Sequence, residues 1–76
     1  MARITPQSWR RLECVFTNAG FVYARQTSSH IIYEKPGVAR PLVIPEYDEI
    51  GQDIIIKLIR TAGITRAEYF RLLNKC

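Results

Sequence analysis

The sequence predicts an α+β fold in which a three-stranded antiparallel sheet carries helices on one face. Three observations predict it. Apolar residues recur at helical spacing near both ends of the chain; the middle switches to β-branched and aromatic runs cut by turn residues; and no strand alternates with a long helix as a parallel sheet would require. At 76 residues with 47% hydrophobic content, residues 1–76 are expected to form one domain whose core leaves little surplus stability.

The first helix is predicted from Thr5-Pro6, with Thr as N-cap and Pro at the first helical position, to a stop at Gly20. At about 100° per residue its buried side gathers Trp9, Leu12, Val15, Phe16 and Ala19, leaving Arg10, Arg11 and Cys14 toward water. Phe21–Gln26 then reads as a strand, Thr27-Ser28-Ser29 as a short polar break, and His30–Lys35 as the second strand of a hairpin. Lys35-Pro36-Gly37 signals a type II turn. The following Pro41–Pro45 run is a short strand, which its bracketing prolines place at a sheet edge. The alternation does not identify the face that the helices cover, because Phe21, Tyr23 and Ile32 stand against Val22, Ala24, Ile31 and Tyr33.

Ile50 to Ala62 reads as a helix burying Ile54, Ile55, Leu58, Ile59 and Ala62, with Ile56 off that side and expected against the last helix. Gly63 stops it. Thr65-Arg66-Ala67-Glu68 is a capping box opening a final short helix through Tyr69, Phe70, Leu72 and Leu73.

The composition narrows the function. No apolar run approaches the roughly 20 residues that span a bilayer, and the N-terminus lacks the apolar middle of a signal peptide, so the expected compartment is the cytoplasm. Cys14 and Cys76 have no metal-ligand spacing and are expected to be reduced, free thiols without a functional role. The net charge of +4 favours an anionic partner. All of the excess lies in residues 1–40, where Arg3, Arg10, Arg11, Arg25, Lys35 and Arg40 face only Glu13 and Glu34; residues 41–76 balance five of each sign.

His30, the single histidine, has the one side chain whose ordinary pKa lets it exchange a proton near neutrality. Arg25, Lys35 and Arg40 are candidate phosphate contacts around it, with Ser28 and Ser29 as neighbouring hydroxyls and water, Tyr33 or Lys35 as candidates for a second proton transfer. On RNA such a group could take the proton of a 2′-hydroxyl that attacks the adjacent phosphorus while cations stabilise the developing charge. A loop-end histidine bonded to the hairpin backbone is the structural alternative. Glu46, Asp48, Glu49 and Asp53 fit the start of a helix better than a metal site, since no ligand spacing accompanies them. No P-loop, dinucleotide-binding glycine motif or catalytic triad order is present, and no cofactor is expected. A non-catalytic RNA-binding module and a domain for an acidic protein partner satisfy the same charge pattern.

The order Asn18-Ala19-Gly20-Phe21, Arg25-Gln26, Ser28-Ser29-His30, a Pro-Gly turn, Val43-Ile44-Pro45, Gly51, Ala62-Gly63-Ile64, then Glu68, Phe70 and Leu73 resembles the HicA family of bacterial mRNA interferase toxins. The GFxxxRQxGSH block, met by Gly20-Phe21 through His30, carries most of the likeness. It implies a fold similar to the double-stranded RNA-binding domain and ribosome-independent cleavage of mRNA, which, with no metal-site spacing in the sequence, is expected to be metal-independent. It also implies His30 as the catalytic residue and neutralisation by a HicB-type antitoxin that covers it. The chain departs from the pattern at Ser28, where the family has Gly, so the loop is expected to lose a positive φ. It departs again at Glu46-Tyr47, where a basic residue and a histidine are usual.

Overall fold

In a computed structural model, which describes residues 3–76, the element order is α1 (Trp9–Asn18), β1 (Val22–Thr27), β2 (His30–Glu34), β3 (Leu42–Pro45), α2 (Gln52–Ala62) and α3 (Arg66–Leu73). The strands form one antiparallel sheet in the order β1-β2-β3. With its helices on one face, this is the α+β arrangement of a double-stranded RNA-binding-domain-like fold. No described helix is long and apolar enough to cross a membrane. Met1 and Ala2, on which the absence of a signal peptide partly rested, lie outside the described residues.

One apolar cluster lies between sheet and helices, built from Leu12, Val15 and Phe16 of α1, Ile31 and Tyr33 of β2, Leu42 and Ile44 of β3, Ile55, Leu58 and Ile59 of α2, and Tyr69 and Leu72 of α3. Ile56 is half-buried beside it and lines a small cleft with Arg66 at the start of α3. Helix α1 starts later than Thr5-Pro6. Residues before it stay extended because Gln7 exchanges backbone hydrogen bonds with Ile50 (3.1 and 2.7 Å) and Ile4 is buried, so Ser8 becomes the N-cap and accepts from the Arg11 N–H at 3.3 Å. The same bridge removes Ile50 from α2.

The terminators behave as expected: Gly63 closes α2 at φ 74°, and Thr65 caps α3 by accepting from the Glu68 N–H at 3.0 Å. Glu68 does not reach back to complete the box; its carboxylate pairs with Arg71. Gly37 has φ 86° and the Val38 N–H bonds the Lys35 carbonyl at 3.1 Å, as a type II turn requires.

The cysteines depart from expectation. Cys14 does not face open water but is half-buried where α1 meets the end of α3, its Cα 6.0 Å from that of Cys76, and the two form a disulfide. Their 62-residue separation hides this proximity. Arg11 reinforces the same junction, its guanidinium donating to the Leu73 carbonyl at 3.3 Å. That carbonyl also accepts from the Cys76 N–H at 3.1 Å, so Arg11 is its second donor, while Arg10 lies over the Trp9 ring. Neither of these arginines is simply a solvated charge.

The hydroxyl of Tyr69 is buried without a hydrogen-bond partner among the described residues, and burial pushes its pKa up. Tyr69→Phe should therefore leave stability unchanged or raise it by about 1 kcal/mol, read as the urea midpoint, since an unpaired buried hydroxyl costs more than it returns. A loss above that size would reveal a partner for the hydroxyl in solution.

Candidate active site

The site begins with the register of the β1–β2 hairpin. Thr27 pairs with His30, leaving Ser28-Ser29 as a two-residue loop. Such loops use turns whose first central residue has positive φ, a position favouring Gly, Asn or Asp. Ser28 occupies it with φ 55°. The departure from Gly has thus not abolished the left-handed conformation; the chain holds Ser28 in it, secured by Gln26 donating to the Ser28 carbonyl at 3.3 Å and the Glu46 N–H donating to the Ser29 carbonyl at 2.7 Å. Relieving that strain by Ser28→Gly should raise stability by roughly 0.5–1 kcal/mol, the left-handed penalty less the extra chain entropy of glycine. Denaturant unfolding measures it, and a destabilised variant would show that Ser28 contributes a bond of its own.

A bulge decides which side chains share a face. Thr27, Arg25 and Gln26 pair with His30, Ile32 and Ile31, but between Arg25 and Tyr23 the register shifts, and Tyr23 then pairs with Tyr33. An unbroken ladder would have kept Tyr23 with Ile32, as alternation suggested. With Ala24 as the extra residue, Phe21 and Tyr23 turn toward the helices, where Phe21 is buried and Tyr23 packs edge-on against Tyr33. Arg25 and Thr27 remain on the opposite side with His30.

The open face is now defined. Across it lie Val22, Arg25 and Thr27 from β1, His30, Ile32 and Glu34 from β2, and Val43 and Pro45 from β3. Ile32 is buried yet lies outside the core cluster, so it is the apolar floor of this face under Arg25 and Val43. His30 is exposed, flanked by Thr27 and Pro45, and its ring has no hydrogen-bond partner among the described residues. The structural alternative, a histidine spent on the hairpin backbone, is therefore not what the side chain does. Arg25 is the diagonal neighbour of His30, about 7–8 Å away at the backbone, so both side chains can reach one group lying over the sheet.

Other expected site residues are placed elsewhere. Tyr33 points to the helix side, fully buried, its hydroxyl donating to the Glu13 carboxylate; burial first and that carboxylate second hold it protonated well above the ordinary tyrosine range. It cannot serve His30. Lys35 donates to the Ala19 carbonyl at 2.8 Å and lies over the Phe21 ring, capping the C-terminus of α1 through the space that Gly20 leaves open. Lys35 and Arg40 line a cleft at the far end of the open face, four residues along β2 from His30 or about 13 Å at the usual rise. Glu46 also turns away: its carboxylate accepts from Gln26 at 3.3 Å on the helix side. Thr27 lies in the polar break by composition but in β1 by structure; the preference of hairpins for two-residue loops is the signal that sets it opposite His30.

Among the described residues no group of three or more His, Cys, Asp or Glu side chains is placed to hold a metal ion. Against known proteins, the family model of the HicA toxin of bacterial toxin-antitoxin systems matches residues 9–64, from the start of α1 to just beyond α2. The chain belongs to the HicA toxin family. No curated protein sequence matches it. The matched span of this HicA chain includes the bulged hairpin and every residue of the open face, and stops short of α3 and the cysteine at its end.

Proposed function

We propose that this HicA toxin is an endoribonuclease that cuts mRNA independently of the ribosome and of a resident metal, and that His30 is its catalytic residue. The observation that carries the reading is the exposed His30, its ring without a hydrogen-bond partner among the described residues, with Arg25 diagonal to it on the sheet face opposite the helices. An RNA strand lying on that face places a 2′-hydroxyl at the imidazole. The ring nitrogen takes its proton, the O2′–P bond forms, and the P–O5′ bond breaks, leaving a 2′,3′-cyclic phosphate and a 5′-hydroxyl. Arg25 stabilises the charge gathering on the phosphoryl oxygens, and a proton from water or from the imidazolium completes the leaving group. Ser28 and Ser29 hold the loop from which His30 projects, and Arg40 receives the strand farther along. DNA, lacking the 2′-hydroxyl, is spared.

The partner that silences such a toxin is an antitoxin of HicB type in this reading, and its simplest mode is to cover the open face, masking His30 and Arg25 together. The test is expression of the wild type and of His30→Ala without antitoxin, following growth and RNA integrity with and without chelator. Growth arrest and RNA loss confined to the wild type and indifferent to chelator support the reading. Equal toxicity removes His30 from it, and chelator sensitivity moves the chemistry elsewhere. Steeply salt-dependent RNA binding without cleavage would instead mark a binding module.

A further inference from the structure

Resting on that reading of the open face, we propose that the cleft at its far end holds a guanine base of the RNA strand and so sets where the strand is cut. The cleft measures about 370 Å³ and lies between the end of β2 and the segment leading into β3, lined by Val22, Glu34, Pro36, Val38 and Arg40 and by the stem of Lys35. That volume falls within the range of small-molecule sites.

Its chemistry is specific. Val22 is 59% exposed although it is a large apolar side chain, and with Pro36 and Val38 it forms an apolar wall against which a flat base can lie. Glu34 stands directly opposite Val22 and is the sole carboxylate among the face residues set by the ladder. Neither Glu34 nor Arg40 is in an ion pair among the described residues. A carboxylate repels the RNA backbone, so its use on this face is to accept hydrogen bonds from a base. Guanine presents two adjacent donors, N1–H and the N2 amine, matching the two carboxylate oxygens. Adenine and cytosine offer one amine beside an acceptor, and uracil one N–H between two carbonyls. Arg40, on the other wall, is free to hold a flanking phosphate, while the Lys35 ammonium is already committed to Ala19. The base is held about 13 Å from His30 along β2, a span of roughly four stacked nucleotides at about 3.4 Å each.

The experiment titrates the wild-type protein with the 5′-monophosphates of guanosine, adenosine, cytidine and uridine, which it cannot cleave, and follows backbone amide shifts. In parallel it maps cut positions on a long RNA for the wild type and Glu34→Gln. GMP should shift Val22, Glu34 and Val38 at concentrations about tenfold below those needed for UMP. Wild-type cuts should carry guanine at a fixed offset, and Glu34→Gln should lose both preferences while still cutting. Equal shifts by all four nucleotides, or GMP shifts away from the cleft, overturn the proposal, as do cuts with no guanine offset. GMP binding in the cleft without any RNA cleavage would leave this site standing and remove the nuclease reading. Cleavage without GMP binding would do the reverse.

Discussion

Replacing His30 with alanine should lower the rate of RNA cleavage by about 10²–10⁴-fold, the usual contribution of a positioned acid–base group. It should do so without a fold defect. The ring is exposed, bonds to nothing among the described residues, and sits beyond the core, so its loss changes stability by no more than about 0.5 kcal/mol. Thermal unfolding measured beside cleavage therefore separates chemistry from folding. Arg25→Ala should act on the same step for a different reason. It removes charge stabilisation at the phosphoryl group, expected to cost about 10²–10³-fold in rate, and it should reduce the salt slope of RNA binding by about one. Arg11→Ala is the contrasting control: its guanidinium is spent on the Leu73 carbonyl, so it should lower stability and leave cleavage by the folded protein unchanged.

Opening the Cys14–Cys76 disulfide should have the largest effect on stability. The bond closes a loop of 62 residues, for which the chain-entropy relation gives about 4 kcal/mol. For a domain of this size each kcal/mol moves the melting temperature by about 4–8 °C, so unfolding with and without reductant, or of Cys14→Ser, should differ by tens of degrees at most. The bond ties α1 to the chain end behind the sheet, far from the open face, and cleavage at a temperature where both forms are folded should be the same. A transition unmoved by reductant would show that the sulfurs are not bonded in solution.

Much of the architecture could be read from local chemistry. The helical stripe Leu12, Val15 and Phe16, the stop at Gly63, the cap at Thr65 and the Lys35-Pro36-Gly37 turn each act through near neighbours, and each occurs where its residues predict. Helix α1 starts later than the Thr5-Pro6 signal because Gln7 bonds to Ile50, a partner distant in sequence that outweighs it. The cysteine pairing was hidden for the same reason.

The candidate site was legible in identity more than in arrangement. His30 and Arg25 stand out by residue type, but only the bulge at Ala24 shows how Phe21 reaches the core and Tyr23, still largely exposed, turns to the helix side while Arg25 keeps company with His30. Nothing local announces that bulge. Lys35 and Tyr33 were equally eligible by type, and both are withdrawn by contacts with α1, to the Ala19 carbonyl and the Glu13 carboxylate. A side chain's availability depends on what the fold has already asked of it.

Cleavage on the open face through a 2′-hydroxyl, with His30 as the proton acceptor, leaves a chemical record in the products. The most direct measurement is mass spectrometry of the products from one short synthetic RNA, run beside the same strand carrying a single 2′-deoxy residue at the cut position, with wild type and His30→Ala. The wild type should leave a 2′,3′-cyclic phosphate end on RNA alone, and the other three reactions should leave intact strands. Cutting of the deoxy strand by the wild type, or a cyclic phosphate formed equally fast by His30→Ala, would contradict this mechanism.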